Sequence, residues 1–357
     1  MSTSTPTGPD LPVTIRPLDL GSDAEIEQYI ALDRALDEHA FGGSEATTVE
    51  RKRAELADSP YWTSRRWVAV AETMEGAQSI VGRAGVQLAT RENTDTAYVG
   101  AAVHPAFRGH GIGTALVEQA IVPAVRECGR SLVSAWVDIP AEGEIEDPST
   151  PAVRLSRRFG LERRSVGVCR VLPLPLDASL LERLGTEADE RIGDYRIEVW
   201  DDVVPEEHLA AYGALLHQLD LDDPDEDVED EPAEYTPERI RTSEERRRAS
   251  GTRAIIAVAI APDGTFAGNS EIHVGTGEGT TLGWQENTLV MPEHRGHRLG
   301  LALKVATHRL LAERAPGLRV LVTYNSHVNP WMIAINEKLG YRVRSREIAY
   351  QGRPDLG

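Results

Sequence analysis

The stretch "HPAFRGHGIGTAL", His104 to Leu116, is written a second time as "MPEHRGHRLGLAL", Met291 to Leu303. Seven of the thirteen positions match: Pro105/Pro292, Arg108/Arg295, Gly109/Gly296, His110/His297, Gly113/Gly300, Ala115/Ala302 and Leu116/Leu303. The two copies lie 187 residues apart, counted from Arg108 to Arg295.

The surroundings repeat as well. Upstream of Arg108 lie short β-branched runs at 13–18, 67–72, 79–90 and 96–105, with helical spacing around 23–38 and 48–57. Upstream of Arg295 the same order returns: a strand at 195–200, helical stretches at 205–219 and 236–248, then strands at 252–260, 265–275 and 283–292. Each phrase leads into a helix and a strand. A glycine-stopped helix follows at 151–161 and at 330–341, then a last strand. Ile15 to Arg108 spans 93 residues and Ile197 to Arg295 spans 98; the stopping glycines, Gly160 and Gly340, follow the arginines by 52 and 45. Matching order and spacing predict a duplicated α/β domain: 11–172, a linker at 173–194 with a short helix, and 195–357.

The bulk numbers agree with two globular units. The chain has 357 residues, 41% of them hydrophobic, and no apolar run of membrane-spanning length. The opening "MSTSTPTGPD" lacks the basic start and apolar core of a secretory signal and reads as a disordered lead-in. Two cysteines, Cys128 and Cys169, suit a reducing cytoplasm and provide neither a disulfide framework nor a zinc site. A formal charge of −19 argues against nucleic acid as partner. Ten carboxylates crowd the run from Asp220 to Glu234. That run reads as a solvated loop, or as an acidic rim that attracts an amine.

Strand, then Arg-Gly-x-Gly-x-Gly, then helix is an arrangement for binding phosphate. Glycines at 109, 111 and 113 let an anion approach the backbone, and the first helical turn offers unpaired N–H groups. A Walker loop would need Gly-Lys-Ser/Thr, and a dinucleotide fingerprint a different glycine spacing; neither fits. The string Val103-His104-Pro105 followed by Arg108-Gly109-His110-Gly111-Ile112-Gly113-Thr114 resembles the coenzyme-A loop of the GNAT superfamily of N-acetyltransferases. Asn325 and the run Asn329 to Tyr341 resemble the family's later helix, with its leucine-glycine-aromatic ending. Over both halves the chain is similar to tandem GNAT proteins of actinobacterial type, such as mycothiol synthase and its relatives.

The resemblance implies two GNAT-like domains, each a mixed, mostly antiparallel sheet flanked by helices and splayed between its fourth and fifth strands. It implies acetyl-CoA as co-substrate, no metal, and direct attack by the primary amine of a small molecule. Cofactor contacts are expected from Val103, Arg108, Gly109, His110, Gly111, Ile112, Gly113 and Thr114 in the first half. In the second they are expected from Val290, Arg295, Gly296, His297, Arg298, Leu299, Gly300, Leu301, Asn325 and Asn329. Backbone N–H near Val103 or Val290 would polarise the thioester carbonyl. Arg298 stands where the first loop has Gly111, so the first loop is the cleaner cofactor site; an arginine there could pair with a phosphate. The family's tyrosine acid is replaced by Ser156 and Asn336, leaving Tyr324 and Tyr341 as substitutes. Glu286, with Glu271 next, is the expected base, and the first half has no carboxylate on the matching strand. Chemistry is therefore expected in the second half. The losses leave a non-catalytic CoA-binding scaffold or sensor as one alternative, and mycothiol synthase-like acetylation of a cysteinyl sugar conjugate as another.

Overall fold

The computed structural model describes residues 12–72, 78–222 and 227–355. The lead-in and the centre of the acidic run, 223–226, lie outside them.

Among the described residues twelve strands form one continuous sheet in the order β1-β2-β3-β4-β5-β12-β6-β11-β10-β9-β8-β7. The first half supplies β1 (Val13–Pro17), β2 (Trp62–Glu72), β3 (Gln78–Ala89), β4 (Thr96–Val103), β5 (Leu132–Pro140) and β6 (Glu162–Pro173). The second supplies β7 (Arg196–Asp201), β8 (Thr252–Ile260), β9 (Phe266–Gly275), β10 (Leu282–Val290), β11 (Val320–Ser326) and β12 (Arg342–Gly352). Neighbours are antiparallel except β4/β5 and β10/β11, which run parallel.

The order reveals an exchange. β6 pairs with β11 of the second half, and β12 pairs with β5 of the first, so each half's last strand completes the other's sheet. β12 and β6 also pair with each other and weld the centre. The sequence boundary near 172 is thus no boundary in the sheet.

The stretch expected as a linker is mostly helix. α6 (Ala178–Ile192) presents Leu181, Leu184 and Ala188 to Leu301 and Val305 of α9 (Leu299–Arg314), all in one buried cluster. A polar connector would not carry that apolar face, and burying each leucine contributes roughly 1.5–3 kcal/mol. A second seam joins α1 (Asp23–Phe41) and the segment after it to β10. Ser44 N–H donates to Thr281 Oγ1 (3.1 Å), Trp284 Nε1 donates to Glu45 (2.7 Å), and Phe41 meets Trp284 edge-on.

The parallel pairs splay as expected. β4 and β5 are bonded only over Thr96–Val99 and Leu132–Ala135, and β10 and β11 only over Leu282–Trp284 and Val320–Val322. Beyond each pair the strands part. The following helix, α3 (Ile112–Leu116) in the first half and α9 in the second, begins at the mouth of the fork. Ile112 and Leu299 open these helices and are 2% and 1% exposed, which anchors each helix start against its sheet.

Candidate active site

The repeated phrase builds the same turn twice. A single turn of 3-10 helix follows the strand, at Pro105–Phe107 and Pro292–His294. The arginine then folds back: Arg108 Nε donates to the carbonyl of Val103 and Arg295 Nε to that of Val290, each at 3.2 Å. This brace explains why both halves keep the arginine. It also occupies one face of a group expected to meet phosphate; Arg295 further pairs with Asp222 at 2.6 Å.

The chain next needs left-handed backbone. Gly109 (φ 86°), Gly111 (φ 75°) and Gly296 (φ 90°) supply it without cost, whereas Arg298 (φ 55°) adopts it as a non-glycine residue. The Arg298 guanidinium turns to α6, where it donates to Glu190 (2.8 Å) and to the Glu187 carbonyl. Here it pairs with carboxylate on the neighbouring helix while still lining the large cleft. His297 packs against the Tyr195 ring.

The larger cleft lies in the second fork. It has a volume of about 1190 Å³ and is lined by Val290, Arg295, Gly296, Arg298, Leu299, Gly300, Leu301, Tyr324, Asn325 and Asn329 among the expected residues. His297 is not in that lining, and the first-loop residues from Val103 to Thr114 line neither this cleft nor the next. Asn329 caps α10 (Pro330–Leu339) by accepting from Met332 N–H at 3.1 Å. Asn325 is oriented by Arg170, whose Nη1 donates to its Oδ1 at 2.8 Å. Arg170 belongs to β6, so strand exchange places a first-half residue behind Asn325, and Ser165, Val166 and Gly167 of the same strand line the cleft.

A β-bulge shapes the floor. Pairing of β10 with β9 shifts between Gln285 and Asn287, leaving Glu286 as the extra residue. Gln285, 3% exposed, pins it: its Nε2 donates to the carbonyls of Glu271 (2.7 Å) and Asn287 (2.9 Å). Thr323 of β11 donates to the Gln285 carbonyl (3.0 Å) at the crotch of the fork. The pairing of β4 with β3 runs without a shift. Bulges re-aim a side chain, and this one sets Glu286 and Asn287 between two clefts.

The second cleft, about 660 Å³, is lined by Glu286, Asn287, Glu271 and His273 on one side and by first-half residues on the other. Here a chain absent from the sequence expectations appears. Tyr212 donates to Glu271 (2.5 Å), Glu271 meets His273 Nε2 (2.6 Å), and His273 Nδ1 meets Glu286 (3.2 Å). Burial opposes charge on His273, but its carboxylate neighbours, Glu271 first, outweigh burial and raise its pKa. Burial also opposes charge on Glu271, yet the His273 imidazolium and the bonds from His273 and Tyr212 hold its pKa well down. Glu271 is therefore an ionised support for His273, and Glu286 is the member at the junction. A histidine in "SEIHVG" carries no signal by itself. The bulge could have been found by counting, since "LGWQENTLV" is one residue longer than "TAYVGAAV".

The two tyrosines separate. Tyr324 lines the large cleft, opposite Cys169 in the β11/β6 ladder, and burial together with Asp138 raises its pKa. Tyr341 is 4% exposed, packs in the core cluster with Leu339 and lines neither cleft, which corrects its candidacy as an acid. The left-handed Gly340 that stops α10 turns it inward. Lys304 was not anticipated. It lines the large cleft at 1% exposure, donates to Asn336 (2.8 Å), and is pushed by burial down to about 7. Glu347, on the same cleft and opposite Asp138 in the β12/β5 ladder, is pushed up to about 7 by burial and then by Asp138.

The described residues of the acidic run are tied down. Glu229 takes both nitrogens of Arg353 (2.9 and 2.7 Å), Glu231 accepts from Asn93 N–H (2.8 Å), and Asp230 accepts from Tyr98 (3.0 Å). The run's described residues stay largely exposed yet reach the first half through Asn93 and Tyr98, and Asp220, Asp230 and Glu231 line the second cleft. Among the described residues no three His, Cys, Asp or Glu side chains gather as a metal site, and no helix is long and apolar enough to cross a membrane.

Comparison with known proteins bears on this geometry. The acetyltransferase (GNAT) family model matches residues 33–160. No curated protein sequence matches the chain. A tandem GNAT protein from the clavulanic acid biosynthesis pathway superposes with a TM-score of 0.70 at 24% identity, covering 97% of this chain and 99% of its own. A GCN5-related N-acetyltransferase from Sphaerobacter thermophilus gives 0.60 at 19%, with 96% of each chain covered. N-myristoyltransferase from Saccharomyces cerevisiae, solved with myristoyl-CoA, gives 0.57 at 11%, over 96% of this chain and 82% of that one. The first half therefore carries a GNAT-family acetyltransferase domain over residues 33–160, and the chain as a whole has the fold of tandem GNAT proteins along almost its entire length.

Proposed function

We propose that the second half transfers an acetyl group from acetyl-CoA to the primary amine of a small molecule, by direct attack at the junction of the two clefts. The observation that carries this is the bulged Glu286, which lines both clefts and is held by His273.

The residues suit such a donor. The first turn of α9 presents N–H groups without helical partners, and its positive end favours the pyrophosphate. Beyond the crotch, the facing edges of β10 and β11 carry backbone groups that an extended amide chain can pair with. Such a chain would run towards the bulge, where a β10 N–H can polarise the thioester carbonyl. The acceptor would enter from the smaller cleft. As its nitrogen attacks the carbonyl carbon, the C–N bond forms and the C–S bond breaks. Glu286 takes the amine proton, directly or through water, and the thiolate takes a proton from Tyr324 or from solvent. Holding both reactants in adjoining clefts supplies proximity. A thiol leaves readily, its ordinary pKa being about 8.5, so the absent family tyrosine does not forbid the step.

Thiol release from acetyl-CoA in the presence of a panel of primary amines tests the proposal. Glu286→Gln is expected to lower turnover by about 10²-fold or more, the usual scale for losing a general base, with little effect on the KM for acetyl-CoA. Unchanged turnover in Glu286→Gln would move the base elsewhere, with Glu347 tested next.

A further inference from the structure

The smaller cleft has one wall from each half, and the first-half wall has a chemistry of its own. Trp62 of β2, Tyr98 of β4 and Trp136 of β5 form an aromatic ladder across the sheet face, with ring centroids 5.4 and 5.8 Å apart. All three line the cleft, and Trp62 and Trp136 remain 37% and 47% exposed. The uncovered rings form a platform able to take an apolar face or a cation. The acidic run beside it adds carboxylates. Asp220 accepts from Tyr235 (3.2 Å) and Glu231 from Asn93 (2.8 Å), neutral donors that bring no counter-charge. The nearby Glu92, by contrast, is already paired with Arg239 at 2.7 Å. Trp136 also lines the large cleft, so the ladder leads to Glu286 at the junction.

Resting on the transfer reaction above, we propose that the first half serves as the acceptor-binding wall of the second, selecting a diamine with a flat apolar body. One amine reaches Glu286, the body lies along the ladder, and the second ammonium sits between Asp220 and Glu231. Neither feature alone suffices: the ladder favours flat amines of any charge, and the acidic run favours any dication.

Three amines separate these contributions. p-Xylylenediamine has a ring and two charges, benzylamine a ring and one charge, and 1,4-diaminobutane two charges and no ring. In thiol release, the KM for p-xylylenediamine is expected to be lower than for either of the others by about tenfold, the factor that one desolvated cation–π or charge contact supplies. Trp62→Ala should raise it towards that of 1,4-diaminobutane, and Asp220→Asn with Glu231→Gln towards that of benzylamine, with kcat little changed. Trp62→Phe, a smaller change at an exposed site, should give an intermediate KM. Equal KM for the three amines, or an unchanged KM in Trp62→Ala, overturns the proposal. If none is acetylated, calorimetric binding decides. Tighter binding of p-xylylenediamine that Trp62→Ala abolishes supports the acceptor wall and places the failure on the transfer reaction. Equal or absent binding overturns the wall itself.

Discussion

Single residues show how differently the two loops use one phrase. Gly111 and Arg298 hold the same left-handed position, yet the arginine accepts a conformation that costs an L-residue roughly 1–2 kcal/mol and offsets it with bonds to α6. The glycines and the arginine brace were legible because backbone needs restrict residue type. His273 was not, because only the fold brings it between Glu271 and Glu286. Lys304 was hidden for a similar reason: a lysine on a helix ordinarily faces water. Its burial has a measurable consequence. The folded-state pKa lies near 7, against about 10.4 for an unfolded lysine. Between those values the unfolded chain holds a proton that the folded chain has released, so stability rises with pH across that window. Lys304→Met lacks this rise. Its melting temperature should exceed that of the parent by several degrees at pH 7 and below, with the gap closing towards pH 10; a gap independent of pH would contradict the assignment.

At the scale of elements, the order of strands and helices was legible from periodicity, turn residues and the repeat. Pairing was not. Exchanging the last strands leaves the order along the chain unchanged, and β6 and β12 offer similar edges to either partner, so no residue pattern distinguishes the arrangements. The exchange makes the halves interdependent. Cut between Pro173 and Ala178, the first fragment exposes edges of β5 and β6, and the second exposes β11 and both edges of β12. Unpaired edges invite aggregation. Each fragment made alone should be insoluble or oligomeric by size-exclusion chromatography, whereas the two made together should co-elute and bind acetyl-CoA. A second fragment that is monomeric and binds acetyl-CoA alone would show that β6 is dispensable to the large cleft.

For the whole molecule, the duplication leaves two unequal halves. The glycine turn and fork occur twice, but the bulge and the Tyr212–Glu271–His273–Glu286 chain lie in the second half, whose fork opens into the 1190 Å³ cleft that Trp136 and Ser165–Gly167 of the first half also line. The sequence points to chemistry in the second half through its carboxylates and to the cleaner cofactor loop in the first through its glycines. Within the acidic run Glu229 pairs with Arg353 and Asp222 with Arg295 inside the second half, while Glu231 and Asp230 reach Asn93 and Tyr98 of the first. The central claim is that acyl donor and amine meet at Glu286, and a crystal structure of the intact protein with bound acetyl-CoA tests it most directly. The expected structure has pyrophosphate at the start of α9, the pantetheine arm between β10 and β11, and the thioester carbon beside Glu286 and Asn287. A donor bound in the fork between β4 and β5, with that between β10 and β11 empty, would contradict it.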